Sequence, residues 1–538
     1  MSDAIEPKPP AIHFYPAGCY FKSIDDIAGK HVTVMGLGLN GGGEATVRFL
    51  LNHGAYVIAT DMKSEADLQT TVDSLNNDET LDKSRLVYRL GEHRIEDFEN
   101  ADCVIKNPGV KYDGNKFLAA AKAIETDISL FLAFSKAPII AVTGSKGKSS
   151  TVSAIYYGLK TSGFSAFLGG NITVSPLTFL DQTDETTPVV LELSSWQLAD
   201  LRGRRLLKPK VSIITKIIPD HQNFYHSMLA YVNDKKLIYA DQTKKDFAIF
   251  DFDSDPAADG GTLIDNWGDI FAKECKATIL RYSKKQLPDG VLGVWQDKKG
   301  TGIARLSTKI LDTLPQDYEK TTETVLKDLI VPGKHMRSNV LNAALVLRIM
   351  GVSPERIIEV LGRWNGIEHR LEFFHECKIG KTTYRFYNDS AATVPEAAAE
   401  ATQAFGKSVI FLTGGTDKGL DLSPVANAIC DNGKNIVPKG IYLLAGTATD
   451  KMIFDFNARK IAYKGPFNSL EELLTTLKAD LESAATLDDQ NTQNEGKSRA
   501  DNTQIVVFSP GATSFGMFKN EFDRGNQFKS SVKKIFGK

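Results

Sequence analysis

Three stretches of this sequence carry residue types at spacings that could do phosphate and metal chemistry. Gly144-Ser145-Lys146-Gly147-Lys148-Ser149 follows the apolar run Pro138–Thr143 and precedes a stretch of helical character from Ser150 to Lys160. A glycine-rich turn that enters a helix offers backbone N–H groups and partial positive charge to an anion. A lysine then reaches the outer phosphates of a nucleoside triphosphate, and a hydroxyl is placed to bind Mg²⁺. The common form of this loop has glycine where Val142 stands, so this is a shorter relative. Downstream, Glu192 ends the apolar run Val189-Val190-Leu191. Burying a carboxylate without a cation is costly, and an acid at a strand end after a phosphate loop is a natural Mg²⁺ partner. Asp220-His221 follows a further apolar run, and Lys235 lies in Tyr231-Val232-Asn233-Asp234-Lys235-Lys236. Taken singly, that histidine reads as structural and that lysine as solvated.

The third stretch, Gly36-Leu37-Gly38-Leu39-Asn40-Gly41, matches G-x-G-x-x-G between a strand and a helix, and Asp61 follows twenty residues after Gly41 at the end of the next strand. Such glycines let backbone amides approach a diphosphate, and the acid meets a ribose or base. The pattern does not separate a dinucleotide such as NAD from another diphosphate-linked nucleotide. An NAD-dependent oxidoreductase, however, leaves the loop at 144–149 without a role.

These residues need strands to present them. Short apolar runs recur at His31–Gly36, Tyr56–Thr60, Cys103–Ile105, Pro138–Thr143, Val189–Leu193, Val211–Ile214, Ser408–Leu412, Gly440–Leu444 and Gln504–Phe508, separated by longer amphipathic stretches. Strand–helix–strand alternation with runs apolar on both faces is the pattern of parallel α/β sheets covered on both sides. At 538 residues one core does not suffice. The expected architecture is α/β in three domains: a Rossmann-like N-terminal parallel sheet over 1–126, a central P-loop ATPase-type domain over 127–366, and a Rossmann-like C-terminal domain over 367–538. Two stretches break the alternation. Residues from Asp251 to about Thr308 read as a β-rich insertion, and polar Thr486–Thr503 reads as a surface loop.

Composition bounds the partners. Lys+Arg 64 against Asp+Glu 66 leaves a net charge of −2, which argues against nucleic acid. No apolar run is long enough for a membrane span, and Met1–Pro10 lacks the apolar core of a signal peptide. The five cysteines are scattered, with no CxxC pair, so neither a disulfide framework nor a zinc module is expected. A cytoplasmic monomer acting on small molecules is the expectation.

Taken together, Thr143–Ser149 and Leu191-Glu192-Leu193-Ser194-Ser195-Trp196-Gln197 resemble the ATP-dependent Mur ligases of peptidoglycan synthesis. Asn388-Asp389-Ser390, Gly414-Gly415-Thr416-Asp417-Lys418 and Ser509-Pro510-Gly511-Ala512-Thr513-Ser514-Phe515 extend the match in one order to about Phe528. The resemblance implies an acid–amino-acid ligase that adds D-glutamate to UDP-N-acetylmuramoyl-L-alanine through an acyl phosphate. It implies that Gly36, Leu37, Gly38, Leu39, Asn40 and Asp61 hold the uridine diphosphate. Asn107-Pro108-Gly109, Gly169-Gly170-Asn171, Ser194 and Gln197 would line the path of the same substrate. Gly144 to Ser150, Asn339, His369, Arg370 and Asp389 would meet ATP. Ser149, Glu192, His221 and a carbamylated Lys235 would hold Mg²⁺, as two ions, and Lys148, Glu192, His221 and Lys235 would be the catalytic set. Thr393, Lys418 and Ser514 would anchor glutamate. Folate-polyglutamate and cyanophycin-type ligases share the ATP loop, but the turn at Gly36–Gly41 is not expected in them.

The sequence departs from the family pattern at a few positions. Ala391 stands where lysine is usual after Asn-Asp-Ser, and His335-Met336 replaces His-Asn. Gly516-Met517 replaces Asp-Gln, and Glu521 stands where an aromatic residue is common. Ala391, Gly516 and Glu521 cluster where the amino acid would bind. The expectation there is therefore open to L-glutamate or another amino acid.

Overall fold

Each apolar run named above forms a strand in the computed structural model, which describes residues 10–172, 174–254, 256–259, 262–307, 322–430, 432–492 and 502–537. The chain divides into two compact units, one of residues 1–327 with 338–361 and the other of residues 328–337 with 362–538.

The first unit holds two main sheets. Its N-terminal sheet has five parallel strands in the order Leu86–Leu90, Tyr56–Asp61, His31–Met35, Cys103–Lys106, Ile124–Glu125. The chain runs outward from His31–Met35 in both directions, so a crevice opens beyond the carboxyl ends of His31–Met35 and Cys103–Lys106, where ligands bind in such sheets. The N-terminal sheet ends at Thr126, whose side chain caps the helix Asp127–Phe134.

The second sheet has nine strands. Thr322–Leu326, Gly302–Arg305, Gly293–Gln296, Thr278–Ser283 and Phe247–Asp251 lead to Val211–Ile214, Ile139–Thr143, Val189–Glu192 and Phe167–Gly170. Ile139–Thr143 sits between parallel neighbours Val189–Glu192 and Val211–Ile214. Its residues are buried throughout, as are those of both neighbours, which accounts for runs without polar alternation. Each fully buried Val, Ile or Leu contributes about 1.5–3 kcal/mol. The stretch read as a β-rich insertion is β-rich in part. A hairpin, Pro256–Asp259 with Thr262–Asn266, precedes the helix Trp267–Glu274, and the last three strands turn antiparallel at the sheet edge.

The second unit is a six-stranded sheet in the order Glu372–Ile379, Thr382–Asn388, Thr503–Phe508, Ile410–Thr413, Gly440–Leu444, Lys464–Phe467. Phe386, Leu412, Leu444 and Phe508 pack on one face with Leu473, Leu477, Phe528 and Val532, while Tyr387, Phe411, Leu443 and Val507 pack on the other with Ala398, Val425 and Met452. The surface loop expected over Thr486–Thr503 is corrected at its start, because the helix Leu470–Thr492 runs into it. Helix-favouring Leu, Glu, Lys and Ala upstream carry the helix on through polar residues that read as a break. Residues 493–501 lie outside the described residues.

Candidate active site

The phosphate loop leaves the strand Ile139–Thr143 and enters the helix Lys148–Thr161 through Gly147, which is left-handed at φ +94°. A Cβ at Gly147 would stand 2.5 Å from Asn339 Oδ1, so glycine lets this turn lie against Asn339. The loop is tied from below. Ser145 N donates to Lys216 O at 2.9 Å, Ser145 Oγ donates to Ile218 O at 2.9 Å, and Thr215 Oγ1 donates to Lys146 O at 2.8 Å. The strand beside it thus fixes the loop, and the segment that continues from that strand carries His221.

Two lysines meet at this loop. Lys148 Nζ donates to Gly144 O at 2.9 Å and to Ser145 O at 3.1 Å. Lys235, 2% exposed, donates from Nζ to the same Gly144 O at 2.9 Å, with the Tyr231 ring centroid 4.5 Å from it. Burial lowers the pKa of Lys148, and nearby Glu192 partly offsets this. Burial, with the Lys148 charge second, pushes Lys235 down to about 7.

Glu192 is 2% exposed at its strand end. Its Oε1 accepts from Asn171 Nδ2 at 2.9 Å, while its Oε2 is buried with no hydrogen-bond partner. A carboxylate oxygen left bare in the interior is costly, and a divalent cation at the loop would satisfy it. That uncommitted oxygen fits a divalent cation such as Mg²⁺, to which the sequence expectation adds the Ser149 hydroxyl, at the start of the loop helix, and His221. His221 is exposed, left-handed at φ 52°, with its ring centroid 5.2 Å from Trp196 and 6.1 Å from Tyr231. Among the described residues no group of three or more His, Cys, Asp or Glu could hold a metal ion. Oxygens from a nucleotide would have to complete the shell, which is how Mg²⁺ usually sits at such loops.

In the N-terminal sheet, Gly36 has φ +96°, and a Cβ there would stand 2.8 Å from Asn107 Cβ. The glycine-rich turn and the Asn107-Pro108-Gly109 loop are thus in contact across the crevice. Asp61 braces the turn, accepting from Gly38 N at 3.0 Å and from Lys63 N at 3.0 Å. Leu37 is fully buried and Leu39 is 51% exposed, while Asn40 is exposed. Gly109 N donates to Asn107 Oδ1 at 3.0 Å. Ser194 and Gln197 form a reciprocal capping box, Gln197 N to Ser194 Oγ at 3.2 Å and Ser194 N to Gln197 Oε1 at 2.9 Å. Their side chains are thus already engaged in starting the helix Ser195–Ala199.

In the second unit the parallel strands Thr382–Asn388, Thr503–Phe508 and Ile410–Thr413 deliver Asp389-Ser390, Ser509 and Gly414-Gly415 to one edge. Asp389 Oδ2 accepts from Ser509 Oγ at 2.5 Å and Oδ1 from Leu371 N at 3.1 Å, and burial raises its carboxyl to about 7. Buried His369 lies between Asn388 Nδ2, 2.8 Å from its Nδ1, and Glu372, whose Oε2 accepts from His369 N at 3.0 Å. Arg370 and Lys418 are exposed, Thr393 is half-buried and Ser514 is buried. Ala391 N donates to His369 O at 3.0 Å, which couples the Asn-Asp-Ser loop to His369.

Three charged residues escaped the sequence reading. Arg524 is fully buried and donates to Ser390 Oγ at 3.0 Å, Ser390 O at 2.9 Å and Ala512 O at 3.0 Å, so it holds together two loops of the Ala391–Ser514 neighbourhood. Lys106 and Asp200, 3% and 6% exposed, pair at 2.8 Å between Nζ and Oδ2. Lys106 closes the apolar run Cys103-Val104-Ile105 as Glu192 closes its own. The same signal, a charge ending an apolar strand, marks both.

A parallel sheet with a phosphate loop at its switch point, Glu192 beside the loop, and a second glycine-rich turn on a separate parallel sheet define a nucleotide-dependent α/β enzyme class. Two family models match the chain, Mur ligase middle domain over residues 142–347 and Mur ligase MurD-like, N-terminal domain over residues 30–129. The chain is 38% identical to a UDP-N-acetylmuramoylalanine–D-glutamate ligase of Treponema pallidum (strain Nichols), over 95% of this chain and 98% of the relative. It is 37% identical to the ligase of the same name from Borreliella afzelii (strain PKo), over 95% of this chain and 99% of the relative. Among solved structures it is similar to the UDP-N-acetylmuramate-alanine ligase MurC of Thermotoga maritima, with TM-score 0.49 and 16% identity over 94% of this chain and 99% of that one. The chain belongs to the Mur ligase family.

Proposed function

We propose that this chain is an ATP-dependent amide ligase that joins D-glutamate to UDP-N-acetylmuramoyl-L-alanine through an acyl phosphate, in the synthesis of peptidoglycan precursors. The relatives reported above are named UDP-N-acetylmuramoylalanine–D-glutamate ligase, which supports the two substrates joined. The observation that carries the reading is the convergence on one loop of two lysines and a buried carboxylate with an uncommitted oxygen.

A carboxylate is a poor electrophile. Transfer of the ATP γ-phosphoryl group to the alanyl carboxylate gives a mixed anhydride, whose leaving group is phosphate. The glutamate nitrogen then attacks the acyl carbon. A C–N bond forms, the C–O bond to phosphate breaks, and the amine proton leaves. Lys148 would release Gly144 O and turn to the phosphates, aided by the N–H groups at the start of the loop helix. Mg²⁺, when bound, would supply neutralisation of the negative charge on the reacting groups. Ser149, Glu192, His221 and Lys235 would hold it, as two ions. Lys235 fits a carbamate, since a neutral buried amine adds CO₂ to give an anion and a proton, replacing a cation next to Lys148 with a metal ligand.

Asn339, His369, Arg370 and Asp389 would hold the nucleoside part of ATP, and Thr393, Lys418 and Ser514 the glutamate carboxylates. Gly36 to Asn40, Asp61, Gly109, Asn171, Ser194 and Gln197 would hold the uridine-diphosphate substrate. All three substrates are small molecules, and the cytoplasm is the place we propose for the reaction; no described helix is long and apolar enough to cross a membrane. We take the working form to be a monomer. An oxygen label in the alanyl carboxylate tests the route. One labelled oxygen appears in the released phosphate if an acyl phosphate forms, and unlabelled phosphate, with the lost oxygen in water or AMP instead, overturns the route.

A further inference from the structure

The buried pair Lys106–Asp200 is not needed for the chemistry above, and its geometry is specific. Lys106 is the last residue of the strand Cys103–Lys106, and its Nζ points back under the following loop. It donates to Asn107 O at 3.3 Å and to Val110 O at 3.0 Å, and it pairs with Asp200 Oδ2 at 2.8 Å. One ammonium thus gathers two carbonyls of a four-residue loop through hydrogen bonds and one acid through an ion pair. The acid is the C-terminal cap of the helix Ser195–Ala199, whose first turn is built by Ser194 and Gln197. Asp200 is steadied in turn, with Oδ1 accepting from Tyr15 Oη at 3.2 Å. The Tyr15 ring lies 4.3 Å from the Arg204 guanidinium, and Arg204 pairs with Glu125 at 2.9 Å. A cavity of about 130 Å³ runs alongside, lined in part by Gly109, Tyr112, Trp196 and Phe224.

Burying two opposite charges gains little stability, because desolvation offsets their attraction. Apolar residues of similar volume would hold two layers together as well. What the charges add is direction. An ammonium held by three fixed oxygens permits one register of the loop against the helix. The loop includes Gly109, and the helix begins at Ser194 and Gln197, so the register sets the spacing between groups that reach the same substrate under the proposed function.

We infer that Lys106 and Asp200, with Tyr15 bracing Asp200, are positioning residues that hold the Asn107–Val110 loop in register with the helix Ser195–Ala199 for the uridine-diphosphate substrate. This rests on the proposed function for the identity of that substrate. The pair touches neither ATP nor the reacting atoms, so it acts on substrate affinity and leaves the phosphoryl-transfer groups in place.

Steady-state kinetics on the full chain test this with K106M, D200N, Y15F and the double variant K106M/D200L, alongside calorimetric titration with UDP-N-acetylmuramoyl-L-alanine and with Mg-ATP. The KM for the uridine-diphosphate substrate is expected to rise about tenfold or more in K106M and D200N and two- to threefold in Y15F. The KM for ATP should stay within twofold and kcat within about threefold. The double variant restores charge balance and thermal stability, yet keeps the raised KM. Recovery of wild-type KM in the double variant would show mere charge compensation and overturn the inference. So would lower stability or kcat in the single variants with unchanged substrate KM. If K106M does not fold, D200N and Y15F carry the same test. Should wild-type protein bind Mg-ATP but not the uridine-diphosphate substrate, the proposed function fails first and the inference falls with it.

Discussion

Lys148 and Lys235 donate to one and the same carbonyl oxygen, that of Gly144, each at 2.9 Å. Two ammonium groups on a single acceptor repel. Burial acts more strongly on Lys235, whose pKa falls to about 7, whereas nearby Glu192 partly offsets the fall for Lys148. The arrangement thus separates two chemically identical side chains. Under the proposed function Lys148 is the one to follow a phosphate, and Lys235, pushed down to about 7, the one to lose a proton and be modified.

Replacement of Lys148 by alanine should leave the fold intact and remove turnover. Of the two acceptors it leaves, Gly144 O still accepts from Lys235 Nζ. Phosphate release should fall by about 10²–10³ or more, as for loss of a group that stabilises transferred charge. The melting temperature should hold within about 3 °C, since about 1 kcal/mol or less is at stake. Full activity would remove the phosphate role.

Glu192→Gln keeps an oxygen for Asn171 and removes the negative charge. The variant should need much more Mg²⁺ for half-maximal activity and lose about 10²-fold in kcat. A titration of rate against Mg²⁺ reads both. An unchanged Mg²⁺ requirement would show that the uncommitted Oε2 is not a metal ligand.

Carbamylation of Lys235 should appear as a carbon resonance when the protein is equilibrated with carbon-labelled bicarbonate. The signal should be absent in Lys235→Arg, and activity should drop on exhaustive removal of CO₂. A labelled protein without that resonance, fully active in degassed buffer, would contradict the carbamate.

Much of this was legible in the residues. Runs such as Ile139–Thr143 and Val189–Glu192 are buried on both faces, so apolarity alone marked them as strands. Glycines flagged the two turns because left-handed backbone and close approach leave few other choices. What stayed hidden was pairing across long sequence separations. Nothing local says that Lys106 meets Asp200, or that Arg524 reaches back to Ser390. Ser194 and Gln197 show the opposite case, since their Ser-x-x-Gln spacing is a local signal for the capping box that engages both side chains. The polar stretch from Thr486 misled because the start of the helix Leu470–Thr492, rather than its end, dictates that element.

Asp389 gives a pH signature independent of catalysis. Burial raises its carboxyl to about 7, so the folded chain keeps a proton that the unfolded chain releases in the ordinary carboxylate range. Stability from this proton is full below the unfolded value and is lost as pH rises through about 7. Wild-type protein should therefore lose stability relative to Asp389→Asn between about pH 5 and about pH 8, by on the order of 2 kcal/mol. Denaturant melts of both proteins across that range check it, and a pH-independent difference would contradict it.

Under the proposed function one phosphate loop activates the carboxylate of a uridine-diphosphate substrate for attack by an amino acid. Phosphate release from ATP, measured over a panel of nucleotide-linked acceptors and of D- and L-amino acids, reads this activation. Release should require UDP-N-acetylmuramoyl-L-alanine and D-glutamate together and vanish when either is left out. Release that continues unchanged without the nucleotide-linked acceptor would show that the loop serves another reaction.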